Sequence, residues 1–387
     1  MTESTESESR LAQRRPDGPL GARWREQREQ AQETALPSGR VVVSCSAPLG
    51  VGGLGRHFKE VVEALQRCEQ PTVEISGSAR APESDTSRRT SAIPDPAELL
   101  SRLPIPLTPG LRTRAFMVEF DAYAARRLPA AEHLIAFNGQ ALTQFRAATR
   151  HDYESLSLVS ANSHLRRVVR QHARAYRQYP LERSWATHLV RRNVTEYAKA
   201  DRIYVGSEYT RESFIEEGFG DELLSHFQFT PDPRYQSNDS PQTSDTFNVV
   251  YVGSLTVAKG VPLLVDAVRR LSHLDIRLVL VGGWASRGMR RFIQTACAED
   301  PRISTGPGDP LPHLRSASLY VHPSYEDGFA YAPVEALACR VPVIVSDDTG
   351  MKDLIDSPRT GLILPTGDLR ALTEAIEAAY RGEIFVG

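Results

Sequence analysis

The chain has 387 residues, with 46 lysines and arginines against 48 aspartates and glutamates and a formal net charge of −2. That length asks for two domains rather than one core, and the near-neutral balance excludes a whole-chain attraction to nucleic acid. The four cysteines (Cys45, Cys68, Cys297 and Cys339) are scattered with no Cys-x-x-Cys pair, which argues against a zinc site or a disulfide framework and fits a reducing cytosol. No apolar run approaches the roughly 18 residues of a membrane span. The polar N-terminus MTESTESESRLAQRR lacks the apolar core of a signal peptide. A cytoplasmic protein is expected, or one peripheral to a membrane.

Residues 1–38 are polar and charged and read as a disordered tail with one short helix around Ala22–Ala35. Order is expected from 40-RVVVSCS-46, a β-branched run typical of a buried strand. A glycine loop follows, then the helical pattern 56-RHFKEVVEALQRC-68 and the strand 71-PTVEIS-76. Residues 77–110 are rich in Ser, Pro and Arg and read as a surface excursion. Further units are predicted around 133-HLIAFNG-139 and 154-ESLSLVSANS-163, then a basic helical stretch from His164 to Asn193 and a buried strand at 202-RIYVGS-207. The polar, proline-flanked stretch 232-DPRYQSNDSPQTSDT-246 reads as a linker. Beyond it come strand 247-FNVVYVG-253, helix 260-GVPLLVDAVRRL-271 and strand 276-IRLVLVGG-283. Strand 318-SLYVHP-323 then leads to a helix from Pro333 to Cys339 and strand 341-VPVIVS-346. Strands alternating with helices mean parallel sheets, so the fold class expected is α/β, with two doubly wound Rossmann-like domains facing across a cleft. Ligands bind beyond the carboxyl ends of such strands.

Three strand-to-helix turns carry candidate chemistry. In 49-LGVGGLGRHF-58 the glycines let backbone approach a bound group, and the following helix offers free amides to an anion. Gly50, Gly52 and Gly55 also fit G-x-G-x-x-G, with Glu74 about 20 residues on, but Ala47, Pro48 and Leu49 intervene after the strand. A tight turn with helix packing is the plain alternative. In 253-GSLTVAKG-260, Lys259 stands before a helix N-terminus, where the dipole disfavours a cation by roughly 0.3–1 kcal/mol. A bound diphosphate would compensate it; the alternative is a solvated lysine. In 324-SYEDGFAYAPVEA-336, Pro333 suits the first helical position and puts Glu335 in the first turn. Glu335 could simply complement the dipole, and Asp327–Gly328 could be an ordinary turn. Two acids facing one cleft could instead accept hydrogen bonds from several hydroxyls, as a sugar or ribose requires.

The segments 251-YVGSLTVAKGVPLLVDAVRRL-271, 318-SLYVHPSYEDGFAYAPVEALACRVPVIVSDDTG-350 and 360-TGLILPTGDLRALTEAIEAA-379 resemble the donor half of family-four retaining glycosyltransferases with the GT-B fold. The loop 50-GVGGLGRH-57 and 196-EYAKADRIYVGSEYTRESFIEEGF-219 resemble their acceptor half. With the composition giving a disordered tail over 1–38 and a linker over 233–246, the resemblance implies an acceptor-side domain over 39–232 and a nucleotide-sugar donor domain over 247–387. It gives Glu335 the ribose hydroxyls, Asp327 the donor sugar and Lys259 the diphosphate. Gly328, Phe329 and Ala330 fall in the loop that meets the phosphates, and Gly52 and Gly53 match glycines near the donor phosphate. His164 is aligned with a cleft histidine near the donor sugar, with a buried structural histidine as the alternative. Departures from the family's pattern are Asp327 for the usual Glu, Ala330 and Arg340 for usual glycines, and Ser254 for a phosphate-binding Arg. The chain also ends at Gly387, before the family's last helix, which crosses back onto the first domain.

The resemblance implies transfer of a sugar from a nucleotide-diphosphate-sugar co-substrate, with no other cofactor, to a hydroxyl acceptor with retention. No acidic metal motif such as Asp-x-Asp is placed at a strand end, so metal-independent transfer is expected. Lys259 and helix-end amides would carry the leaving-group charge. A non-catalytic sugar-nucleotide binder and a dinucleotide-dependent oxidoreductase are the alternatives. The arginine-rich stretch 164–193 is either a solvated face or a peripheral contact with an anionic membrane.

Overall fold

The computed structural model describes residues 36–77, 109–227, 229–235, 246–355 and 358–385. The expected tail up to residue 35, residues 78–108 of the surface excursion and residues 236–245 of the linker lie outside these. Among the described residues, one compact unit holds those up to Val169 together with Arg183–Phe229; the other holds Arg170–Glu182 together with those from Thr230 onward.

The first unit is a six-stranded parallel sheet in the order β2-β1-β3-β4-β5-β6. Its strands are β1 (Val41–Cys45), β2 (Thr72–Ser76), β3 (His133–Phe137), β4 (Ser155–Ser160), β5 (Arg202–Val205) and β6 (Leu224–His226). Sequence Val-Val-Val-Ser-Cys is buried at every position of β1, as an interior strand covered on both faces requires. The order reverses between β1, which continues to β2 on one side, and β3 on the other. Helix α1 (Gly52–Arg67) starts four residues before its apolar periodicity does. The glycines that looked like loop form its first turn, because the first four helical amides need no partner within the helix. Helices α2 (Pro109–Ala125) and α3 (Leu142–Arg150) follow, with Phe120, Phe145, Leu134 and Tyr197 in the core.

The basic stretch from His164 to Asn193 is two helices: α4 (Leu165–Gln178) and α5 (Val190–Tyr197). Pro180 cannot continue the first, since it lacks an N–H and clashes with the preceding turn. Helix α6 (Glu208–Ile215) is capped by the Ser207 hydroxyl, which accepts from the Thr210 amide.

The second unit is another parallel sheet, in the order β12-β11-β10-β7-β8-β9. It contains β7 (Phe247–Val252), β8 (Ile276–Val281), β9 (Ile303–Gly306), β10 (Leu319–His322), β11 (Val343–Ser346) and β12 (Gly361–Leu364). Helices α7 (Val261–Arg270), α8 (Arg287–Glu299), α9 (Pro310–Arg315), α10 (Tyr331–Ala338) and α11 (Leu369–Arg381) connect or flank them. Val249, Leu264, Leu278, Val321 and Ile376 form its core, and Ala175 from the second half of α4 is buried in the same cluster. Here the order reverses between β7 and β10, which makes their carboxyl ends the place where this fold opens a crevice.

Candidate functional site

Lys259 and Asp327 both stand at that reversal, one in the loop after β7 and the other in the loop after β10. Gly260 makes their meeting possible. It caps α7 with φ 69°, and a Cβ there would lie 1.9 Å from the Pro323 carbonyl oxygen. Only a glycine lets the two loops close to this distance. The contact is sealed by the Tyr325 amide donating to the Ala258 carbonyl at 2.8 Å. Lys259 Nζ then lies 2.6 Å from Asp327 Oδ2 and donates to the Glu326 carbonyl at 3.2 Å. The lysine before the helix N-terminus thus has its counter-charge within the fold.

Asp327 is 7% exposed. Its Oδ2 also faces His322 Nε2 at 3.1 Å; an ionised carboxylate only accepts, so that nitrogen carries the proton. Burial would raise the Asp327 carboxyl, but the charge of Lys259 and the hydrogen bond from His322 outweigh it and hold the group well below the usual carboxylate range. The backbone of Asp327 is fixed on both sides. Its amide donates to the Asp348 carbonyl at 3.4 Å, and its carbonyl accepts from the Gly350 amide at 2.8 Å. The chain here is thereby pinned to the segment after β11.

Gly328 is buried. Phe329 is 7% exposed and packs edge-on against Tyr331, ring centroids 5.5 Å apart. Ala330 is the N-cap of α10 in an extended conformation, φ −105° and ψ 128°, so no glycine is needed there. This start corrects the expected one. The helix begins at Tyr331, Pro333 is its third residue, and Glu335 lies beyond the first turn. A proline is harmless anywhere among the first orphan amides, so it does not mark the first position uniquely. Glu335 is 2% exposed. Ser254 is exposed, and its carbonyl accepts from the Tyr251 hydroxyl at 3.0 Å.

Gly52, Gly53 and His164 belong to the other unit. Gly52 has φ 67°, and a Cβ at Gly52 or Gly53 would meet nothing within 4 Å; at Gly55 it would lie 2.1 Å from the Pro48 carbonyl oxygen. Gly55 therefore serves the tight turn, while Gly52 and Gly53 leave open space at the amide end of α1. That end has no side-chain cap and no acid in its first turn, an arrangement suited to an anion. Glu74 is the middle residue of β2, away from the strand end where an acid would reach a ribose. His164 is not the end of a strand: β4 closes at Ser160, and His164 immediately precedes α4. It is 1% exposed, with its ring among Tyr197, Phe214 and Phe219 at 4.8, 5.2 and 5.8 Å.

Two residues of the second unit escaped the sequence reading. His322 shows in sequence only as the end of an apolar strand. His172 is 3% exposed, and burial, followed by the nearby charge of Lys259, lowers its imidazole to about 4. No local signal links it to a lysine so distant in the chain. Several arginines of the basic stretch are committed to ion pairs: Arg166 with Glu217 at 2.7 Å, Arg167 with Glu216, Arg174 with Asp348 at 3.2 Å, and Arg192 with both Asp121 and Glu196. Among the described residues, no helix is long and apolar enough to cross a membrane.

Residues 246–381 match the family described as Glycosyl transferases group 1. The capsular polysaccharide biosynthesis glycosyltransferase CapM of Staphylococcus aureus is 26% identical over 145 residues, 36% of this chain and 38% of that one. A D-inositol 3-phosphate glycosyltransferase of Pseudarthrobacter chlorophenolicus is 27% identical over 207 residues, 50% of this chain and 48% of that one. These matches span less than half the length of either relative. In fold, the chain is similar to sucrose-phosphate synthase from Thermosynechococcus elongatus, with TM-score 0.63, 19% identity and coverage of 87% and 88% of the two chains. It is also similar to Anabaena HepE solved with UDP and glucose, with TM-score 0.62, 14% identity and coverage of 88% and 89%. The two parallel six-stranded sheets are those of the GT-B glycosyltransferase fold.

Proposed function

With a Glycosyl transferases group 1 domain over residues 246–381 as the premise, we propose that the protein transfers a sugar from a nucleoside-diphosphate sugar to a hydroxyl acceptor, with retention of the anomeric configuration and without a metal. One observation carries this reading: Lys259 and Asp327 meet at 2.6 Å where the strand order reverses between β7 and β10. The diphosphate lies against the N-terminal end of α7 and shares Lys259 with Asp327. Lysine and helix amides then offset the charge that grows on the departing phosphate. Glu335 holds the ribose diol and Asp327 faces the transferred sugar, while the loop through Gly328, Phe329 and Ala330 and the neighbouring Ser254 border the phosphates. In the other unit, Gly52 and Gly53 leave the amide end of α1 open to an anion, while the burial of His164 among aromatic rings favours the structural histidine over a sugar contact. The departing phosphate assists the acceptor's attack on the same face. HepE, with UDP and glucose in its structure, makes a UDP-sugar the first donor to try. The acceptor is a glycan, lipid-linked or small-molecule hydroxyl; the names of the relatives, a capsular polysaccharide enzyme and a D-inositol 3-phosphate glycosyltransferase, favour the first and the last.

The binder that does not transfer is motivated by the departures from the family's pattern, among them those at Asp327, Ala330, Arg340 and Ser254. Of these, Ala330 is extended and needs no glycine, whereas Arg340 stands at a glycine-like φ of 60°. The exposed Arg177, Arg183 and Arg191 are left for a peripheral contact with anionic lipid. Co-sedimentation with phosphatidylserine vesicles but not phosphatidylcholine vesicles would support that contact, and equal recovery with both would remove it.

The test of the activity is incubation with UDP-, GDP-, ADP- and TDP-sugars, following diphosphate release and the anomeric proton by NMR. Release with a product of the donor's configuration is the expected result. Inverted product refutes the retaining mechanism. Tight donor binding without release leaves the binder reading in its place.

A further inference from the structure

The second half of α4 and the turn after it, as far as Glu182, pack in the donor unit rather than with the start of the same helix. Arg174 and Gln178 lie four residues apart on one face of α4, and Glu182 follows in the turn beyond the helix end. Together they reach the loops after β7, β10, β11 and β12 at the carboxyl end of the sheet. Glu182 Oε2 accepts the Val257 amide at 2.8 Å, two residues before Lys259. Gln178 Oε1 accepts the Tyr325 hydroxyl at 2.6 Å, two residues before Asp327, and Gln178 Nε2 donates to the Gly367 carbonyl at 3.2 Å. Arg174 donates to Asp348 Oδ2 at 3.2 Å and to the Thr366 carbonyl at 3.1 Å; Asp348 is the residue whose carbonyl receives the Asp327 amide. The segment is itself anchored, with Ala175 buried in the core and the Tyr179 hydroxyl donating to Asp266 at 2.8 Å.

From this geometry we infer that Arg174, Gln178 and Glu182 are positioning residues of the donor site, which set the Lys259–Asp327 pair by bracing the loops that carry it. The inference rests on the proposed function for the meaning of the site, but not for the brace itself. Glu182 and Gln178 carry most of the effect. A charged acceptor on a backbone amide and a short bond from a tyrosine hydroxyl in a half-buried setting are stronger than the Arg174–Asp348 pair, whose arginine is 54% exposed. The brace also explains why a stretch so rich in arginine has a glutamine and a glutamate at these positions. They accept a hydroxyl and an amide, which arginine, a donor only, cannot do.

The experiment compares the full-length protein with Glu182→Ala, Glu182→Gln and Gln178→Ala by hydrogen exchange of peptides covering 254–260 and 324–330, alongside calorimetric binding of UDP, GDP, ADP and TDP. Glu182→Gln keeps an acceptor oxygen and serves as the rescue. In the alanine variants, faster exchange is expected in the peptide next to the lost contact, 254–260 for Glu182 and 324–330 for Gln178. The diphosphate that binds best should weaken about tenfold, with Glu182→Gln close to wild type on both readouts. Unchanged exchange in both loops, or acceleration spread evenly over the whole unit, would overturn the brace. If the wild-type protein binds none of the four diphosphates, the proposed function fails while the exchange data still decide the brace.

Discussion

Replacing Lys259 by methionine keeps the length and most of the volume of the side chain and removes its charge. Asp327 would then be a carboxylate, 7% exposed, with His322 as its remaining polar side-chain partner. Removing one member of a fully buried pair costs about 3–5 kcal/mol, whereas exposed pairs are worth about 0–1 kcal/mol. The Lys259 side chain is 26% exposed and that of Asp327 10%, so the cost should fall between these limits, at about 2–3 kcal/mol. The double variant Lys259→Met/Asp327→Asn leaves no buried charge unpaired and should recover at least half of that loss. Urea unfolding at neutral pH reads both. The pH dependence supplies a second readout. The folded-state carboxyl of Asp327 is depressed, so its contribution is present above the ordinary carboxylate range and is lost progressively as pH falls from that range through the depressed folded value. Lys259→Met should therefore lose less stability than wild type on acidification from about pH 5 to 3. A single variant within about 0.5 kcal/mol of wild type, or a double variant no more stable than the single, would refute the reasoning.

Arg340 follows the C-cap of α10 in the left-handed region, φ 60°, with its amide donating to the Leu337 carbonyl and the Val341 amide to the Ala336 carbonyl. Arg340→Gly should relieve about 1–2 kcal/mol of backbone strain, less the entropy glycine adds to the unfolded chain, for a net gain of roughly 0.5–1 kcal/mol in denaturation; a loss would show that the arginine side chain has its own stabilising contact. His172, with its imidazole lowered to about 4, contributes stability that is present above its ordinary value and lost as pH falls from about 6.5 through about 4. NMR titration should find it neutral at pH 6 and more basic in Lys259→Met; a value unmoved by that change would remove Lys259 as a cause. Glu335→Gln should weaken nucleoside diphosphate and intact donor alike. Asp327→Asn should leave the diphosphate unchanged or tighter, because Lys259 is released to it, and should lower turnover; equal weakening of the diphosphate in both variants would make the two acids a single nucleotide clamp.

The interior strands were legible because parallel strands covered on both faces read as β-branched runs: β1, β7, β8 and β11 all show it. The short strands β6 and β9 do not, with only three and four residues and few apolar positions. Lys259 and Asp327 were each visible from their place after a strand. Their contact was not, since it depends on Gly260 packing against Pro323, a tertiary event with no local period. For the same reason the sequence assigned Lys259 a ligand as its counter-charge and passed over His322. The basic run from His164 to Asn193 gave away its helices but not their allegiance. Arg174, Gln178 and Glu182 look like an exposed polar face until the loops they hold are in place. Glu335 shows the limit of turn rules, because Pro333 fits several first-turn positions equally well.

The central claim is that the site between β7 and β10 holds a nucleoside diphosphate through Lys259. Calorimetric titration of wild type and Lys259→Met, at a temperature where both are folded, with the best-binding nucleoside diphosphate and with its parent nucleoside, tests it most directly. A charge-assisted contact is worth roughly 1.5–3 kcal/mol, so the variant should bind the diphosphate about ten- to a hundredfold more weakly and the nucleoside as wild type does. Equal weakening of both ligands, or no weakening of either, would contradict the account.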